Sequence, residues 1–342
     1  MRRIRVLIVE DSLVFRDLMV SVLKKDPVID VVAVAGDPFD ARDKIIEYQP
    51  DVMTLDIELP RMNGIEFLRK LMPQYPLPVV MVSSLSDKVF DAMQAGAVDF
   101  VVKPSVQDRE QIRKFVEREL PVKIKVASTA KISQIKKHTI SNRVQDVITS
   151  NRNMVIAIGA STGGTEAIAT VIKEFGPDIP GTVIVQHMPP GFTEMYAKRL
   201  DDHCRVHVKE AKNGDMVIPG QVLIAPGGDS HMRLIKVGKN YQVEIKKGSK
   251  VNGHRPSVDV LFESVAKVAK ENALGIILTG MGGAGARGLF EMRQAGAKTI
   301  GQDESTCVVY GMPKVAYDLG AVQYQERLTN IAKKTYNLLN QV

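Results

Sequence analysis

Tryptophan is absent, and aromatic residues make up only 5% of the chain. Cysteine occurs twice, at Cys204 and Cys307, which excludes a disulfide scaffold or a cysteine-rich metal centre. No apolar run approaches the roughly 18 residues that a membrane-spanning helix needs. Met1-Arg2-Arg3 is followed by a short apolar stretch, Ile4 to Val9, which Arg5 interrupts. That stretch is too short for a signal-peptide core. No internal repeat is visible. These absences lead to the expectation of a cytoplasmic protein without membrane insertion.

The chain has 342 residues, with 44% hydrophobic and 25% charged, an ordinary globular composition and length enough for two cores. The formal net charge is +7. A basic balance points to nucleic acid or another anionic partner only if the charge forms a binding face.

Residues 1–122 alternate strand and helix signals five times. Apolar runs at Ile4–Val9, Val31–Ala35, Asp51–Leu55, Pro78–Val82 and Phe100–Val102 read as strands. Helical periodicity follows each, near Ser12–Lys25, Pro38–Tyr48, Gly64–Leu71, Lys88–Gln94 and Val106–Leu120. Five βα units predict a doubly wound parallel sheet of the α/β class, with its site at the carboxyl ends of the strands. Pro121 is expected to end the last helix. Residues 123–150 hold six Lys or Arg (Lys123, Lys125, Lys131, Lys136, Lys137, Arg143) against Asp146 and carry no regular period. They read as a basic linker that accounts for most of the excess charge. Residues 151–342 read as a second α/β domain, with strands at Met154–Ile158, Thr182–Gln186, Gln221–Ala225 and Leu274–Thr279. They also include a hairpin around Gly238-Lys239-Asn240 and a final helix near Glu326–Leu339.

In the first domain, Glu10 and Asp11 end one strand, Asp56 another, Ser83 and Ser84 a third and Lys103 a fourth. A parallel sheet brings these ends together. Three carboxylates in one wet crevice repel unless a cation sits among them, and an oxygen-only donor set suits Mg²⁺. A carboxylate beside Mg²⁺ and an ammonium can attack phosphorus, because both cations neutralise the charge developing on its oxygens.

Val9-Glu10-Asp11-Ser12, Leu55-Asp56-Ile57, Val82-Ser83-Ser84 and Val102-Lys103-Pro104 resemble the response-regulator receiver family. That resemblance implies that Asp56 accepts phosphate from a histidine kinase and that Glu10, Asp11 and Asp56 hold Mg²⁺. It also implies that Lys103 contacts the phosphoryl group, that Ser83 is the switch hydroxyl and that Phe100 is the switch aromatic. Glu10 stands where many receivers carry aspartate.

In the second domain, Gly159-Ala160-Ser161-Thr162-Gly163-Gly164 lies between a strand and a helix. Such a turn can bind phosphate at the helix N-terminus or present Ser161 as a nucleophile, and the pattern alone leaves both open. A serine nucleophile needs a base. Of the six histidines, His187 ends a strand and reaches the same crevice. His138 falls in the linker, His203, His207 and His231 read as surface or structural, and His254 reads as a weaker, substrate-side candidate. Thr279-Gly280-Met281-Gly282-Gly283-Ala284-Gly285-Ala286 is a further glycine-rich strand end.

Gly159 to Gly164, Gln186 to Phe192, Ile224 to Gly228, His254 to Asp259, Thr279 to Gly282 and Tyr310 to Pro313 together resemble the chemotaxis protein-glutamate methylesterase (CheB) family. This resemblance implies a Rossmann-like α/β esterase domain with Ser161 as nucleophile, His187 as general base and the Met281 N–H as oxyanion donor. It also implies an esterase that works without a cofactor. The implied reaction is hydrolysis of glutamate γ-methyl esters on chemoreceptors and deamidation of receptor glutamines, activated by phosphate that Asp56 receives from a chemotaxis histidine kinase. The family's histidine-orienting aspartate is replaced here by Ala284. Alanine cannot accept a hydrogen bond from imidazole, so the chain is expected to be either a slow esterase or an inactive receptor-binding regulator. Asp303 and Glu304 are distant candidates for a substitute acid. A nucleic-acid-binding regulator is disfavoured, because its second domain would be a helix-turn-helix unit rather than an α/β domain of about 190 residues.

Overall fold

The computed structural model describes residues 2–84, 87–104, 108–132 and 154–341. It divides into two compact units, residues 1–135 and 136–342.

The first unit alternates β1 (Ile4–Val9), α1 (Leu13–Leu23), β2 (Ile29–Ala35), α2 (Pro38–Tyr48), β3 (Val52–Asp56), α3 (Gly64–Leu71), β4 (Val79–Ser83), α4 (Lys88–Gln94) and β5 (Asp99–Val102). The strands form one parallel sheet in the order β2-β1-β3-β4-β5. The residues of β3, β4 and most of β1 and β5 are buried, which is why they read as apolar runs rather than alternating ones, while the edge strand β2 is half-buried between Ile29 and Ala35. Polar residues start the helices where the sequence offers caps. Ser12 accepts from the Phe15 N–H, Asp37 from Phe39 and Asp40, and Asn63 from Glu66.

The last helix differs from expectation. Pro121 does not end it. α5 (Arg109–Lys114) runs through a π turn at Phe115–Glu119 into α6 (Leu120–Ala127). Proline lacks an N–H and its ring crowds the carbonyl four residues back. The widened turn just before Pro121 accommodates that misfit without breaking the helix. Burial of Leu120, Ile124, Val126 and Ala127 against β3, β4 and β5 holds the extension in place. Lys123 and Lys125 therefore belong to this helix, not to a linker, and they pair with Asp99 and Asp26 at 2.6 Å each. Lys136, Lys137, His138, Arg143 and Asp146 lie outside the described residues.

The second unit contains β6 (Val155–Ala160), α7 (Gly164–Ile172), β7 (Gly181–Gln186), α8 (Phe192–Asp201), β8 (His207–Glu210) and β9 (Gln221–Ile224). A hairpin of β10 (Ser230–Val237) and β11 (Asn240–Lys247) follows, then α9 (Val258–Val268), β12 (Ala273–Ile277), α10 (Ala286–Gln294), β13 (Lys298–Gln302), α11 (Met312–Asp318), β14 (Tyr324–Glu326) and α12 (Ile331–Leu339). Seven strands make a parallel sheet in the order β14-β13-β12-β6-β7-β9-β8. β8 and β14 are short edge strands whose sequences gave no strand signal. β14 ends on Glu326, the residue read as the start of the final helix, which begins five residues later at Ile331. Among the described residues no helix is long and apolar enough to cross a membrane.

Candidate functional sites at two sets of strand ends

In the first unit, β1, β3 and β5 deliver Glu10, Asp56 and Lys103 to one point. The Lys103 ammonium lies 2.5 Å from Asp56 Oδ2 and 2.8 Å from Glu10 Oε2. Its backbone N–H donates to the Ser83 carbonyl at 2.7 Å, which ties β5 to the end of β4. Both carboxylates are almost fully buried, and burial pushes both above the usual carboxylate range against the pull of Lys103. Burial also works against the charge on Lys103, but its bonds to the two acids prevail and raise it. Asp11 is exposed, yet ligand oxygens of Glu10, Asp11 and Asp56 lie within 4.8 Å of one another. That donor set fits a hard dication: three carboxylate oxygens, one face open to water. Ser83 is buried at the end of β4, and Phe100 is buried as the second residue of the adjacent β5, opposite Met81.

In the second unit, β6 and β7 pair in register with Ala160 opposite Gln186. The next residues, Ser161 and His187, leave the sheet side by side. The His187 N–H donates to the Ala160 carbonyl at 3.2 Å. The Gln186 side-chain amide donates to the Ser161 carbonyl at 2.9 Å and to that of His187 at 3.3 Å, stapling the two strand ends together. β12 flanks β6 on the other side. There the Ser161 N–H donates to the Thr279 carbonyl at 3.0 Å. The Thr279 hydroxyl donates to the Thr162 carbonyl at 3.0 Å and accepts from the Val309 N–H at 3.0 Å. Thr279 is buried, so each of these bonds is made away from water.

Gly280 must be glycine for reasons of space. A Cβ there would lie 2.3 Å from Met312 Sδ and 2.8 Å from Ser161 Cβ. This close approach brings the residue before Met281 against the serine. Among the described residues the Met281 N–H meets no protein acceptor. Its side chain is half exposed.

Ala284 is buried among apolar neighbours at the entrance to α10. The buried carboxylate near this loop is Asp259. It accepts from Gly285 N–H at 2.8 Å, Gly288 N–H at 3.0 Å and the Asn252 amide at 2.8 Å. Asp303 caps the short helix at Glu304–Thr306 and accepts from the Thr306 N–H, so its carboxylate has a local structural job. The histidines separate by environment. His231 is buried, with Nδ1 accepting from Ser257 N–H at 3.1 Å and Nε2 facing the Ser249 carbonyl at 2.8 Å. That arrangement requires the proton on Nε2. His203 and His207 are exposed and bond within their own neighbourhoods. His254 stacks face to face on His187, with ring centroids 3.8 Å apart and planes 6° from parallel.

Sequence reasoning missed Gln186, Asp259 and the hub role of Thr279, although all three lie in the segments quoted above. The available signal was a polar residue closing an apolar strand run, at Gln186 and Thr279, and an acid among apolar residues at the start of a helix, at Asp259.

The chain matches the response regulator receiver domain model over residues 6–117 and the CheB methylesterase model over residues 156–335. It is 59% identical to a protein-glutamate methylesterase/protein-glutamine glutaminase of Syntrophomonas wolfei, over all of this chain and 99% of that one. It is 50% identical to a protein of the same description from Syntrophotalea carbinolica, over 99% of each. The catalytic domain of the Thermotoga maritima CheB methylesterase superposes with a TM-score of 0.53 at 38% identity, covering 56% of this chain and 100% of that domain. With both halves matched in order and relatives aligned end to end, the chain belongs to the CheB methylesterase family, an esterase domain preceded by a response-regulator receiver.

Proposed function

We propose that this chain hydrolyses glutamate γ-methyl esters on chemoreceptors and deamidates receptor glutamines, slowly, under the control of phosphorylation at Asp56. The observation that carries the reading is the pairing of Ala160 with Gln186, which sends Ser161 and His187 off adjacent strands beside the Met281 loop. Ser161 Oγ attacks the ester carbonyl while His187 takes its proton. The negative charge moves to the carbonyl oxygen, where the Met281 N–H donates to it. The C–O bond to methanol breaks as His187 returns the proton to the leaving oxygen. Water, deprotonated by His187, then releases the glutamate carboxylate and restores Ser161. With glutamine the leaving group is ammonia.

In the receiver, Asp56 accepts the phosphoryl group of a histidine kinase. Glu10, Asp11 and Asp56 would hold Mg²⁺, which supplies charge neutralisation at phosphorus when bound. Lys103 neutralises the same oxygens, while Ser83 and Phe100 report the change.

Ala284 sets the expected rate. Loss of the orienting acid in serine hydrolases costs roughly 10⁴-fold in turnover while the remaining groups still act. Methanol release from methylated receptor should be slow, should vanish in Ser161→Ala, and should rise at least 100-fold in Ala284→Asp. An added carboxylate there would also sit favourably at the N-terminus of α10. Ala284 equally motivates a second reading, an inactive receptor-binding regulator. Receptor binding with no methanol release from either the native chain or Ala284→Asp would select it.

A further inference from the structure

The ring stacked on His187 has no place in the mechanism above. His254 sits on the loop between β11 and α9, half-buried, its plane 6° from that of His187 and its centroid 3.8 Å away. Two exposed rings that happened to meet would not hold that geometry, so the support of the loop decides whether the contact is built. Val251 and His254 bond reciprocally through their backbones, at 3.1 and 3.0 Å, across Asn252 and Gly253. Both central residues have positive φ, 51° and 80°, the type I′ pattern for which Asn-Gly is the preferred sequence. The turn is anchored from both sides. Asn252 donates to the buried Asp259, whose carboxylate is in turn fixed by the Gly285 and Gly288 N–H groups of the Ala284 loop and α10. Arg255 grips the Gly228 and Gly248 carbonyls at 2.8 Å each, which points its guanidinium at backbone acceptors. The buried His231 accepts from Ser257 and faces the Ser249 carbonyl, closing the loop at its base.

We propose that His254 is the positioning residue for His187 in this chain, fixing the imidazole plane through its face where the family's aspartate would fix it through an edge. A flat, parallel neighbour at van der Waals distance blocks rotation of the His187 ring out of its plane. Its π face stabilises the imidazolium formed when Ser161 gives up its proton. It cannot select the tautomer as a carboxylate does, so it restores only part of what Ala284 removes. The Asn252–Asp259–Gly285 chain makes the Ala284 loop itself the support of the His254 turn.

The inference rests on the esterase reading, and the test separates the two. In the full chain, His254→Ala and His254→Phe are compared with the native residue by methanol release from methylated receptor. The imidazole ¹⁵N shifts of His187 are followed from pH 5 to 9 in parallel. His254→Ala should lower kcat roughly ten- to thirty-fold with KM within twofold, and His254→Phe, which keeps the face, should retain at least half of kcat. The native His187 should titrate in two coupled steps with His254, and in one step in both variants. A raised KM with unchanged kcat in His254→Ala would make His254 a substrate contact and overturn the proposal. Equal losses in Ala and Phe, or a His187 titration indifferent to residue 254, would overturn it as well. If methanol release is absent, or survives Ser161→Ala, the esterase reading fails. The ¹⁵N titration then decides alone whether His254 holds the His187 ring.

Discussion

Single residues in this chain differ in chemistry because their surroundings differ, and Cys204 is a clear case. It is one of only two cysteines and follows α8, partly accessible. Burial pushes its thiol up to about 11, with Asp201 opposing ionisation further and Lys173 only partly offsetting it. Thiolate is the reactive form, so at pH 8 only about one molecule in a thousand would be ionised. Alkylation by iodoacetamide, followed by mass spectrometry, should be slow at pH 8. It should accelerate about tenfold per pH unit up to pH 10 without a plateau. A plateau near pH 9 would show an ordinary thiol. Cys307 is fully buried and should remain unlabelled in the native protein.

At the scale of elements, α10 shows how one chain segment completes another. Gly285 stands at its N-cap and brings no side chain to satisfy the free N–H groups there. Asp259, in the first turn of α9, fills that role from outside by accepting from Gly285 and Gly288. Such charge-assisted bonds, made by a carboxylate that is 1% exposed, are expensive to lose. Asp259→Asn keeps the shape but turns an amide donor toward groups that are themselves donors. It should destabilise the second unit by about 2 kcal/mol, measured by urea denaturation, with the Asn252–Gly253 turn loosening in step. An unchanged unfolding midpoint would remove Asp259 from this supporting role.

The whole molecule is two units with separate cores, so a local charge defect should register in one of them. Lys103 faces two buried carboxylates. Lys103→Met leaves both without their counterion, and removing one partner from a buried ion pair costs about 3–5 kcal/mol. Calorimetry should show the receiver transition lowered by about 10 °C and the other transition in place. Millimolar Mg²⁺ should raise the receiver transition of the native chain, since a ligand bound only to the folded state stabilises it. Chelation should reverse the effect. A shift of both transitions together would mean that the units unfold as one.

Sequence alone determined the two α/β halves, the helices from Pro38, Gly64 and Lys88, and the strand-end residues of both crevices. These follow from local rules: buried parallel strands read as apolar runs, caps mark helix starts, and strand ends in a parallel sheet converge. The basic linker was misplaced at its start because local rules treat Pro121 as a stop. Burial of Leu120, Ile124 and Ala127 outweighs that penalty, and the π turn absorbs the misfit. The short strands β8 and β14 owe their pairing to neighbours far along the chain, so no local pattern announced them. Only the tertiary structure placed Asp259 under α10, Gln186 across two strand ends, and His254 flat on His187. Each joins segments brought together by packing, where distance in the chain carries no information about contact.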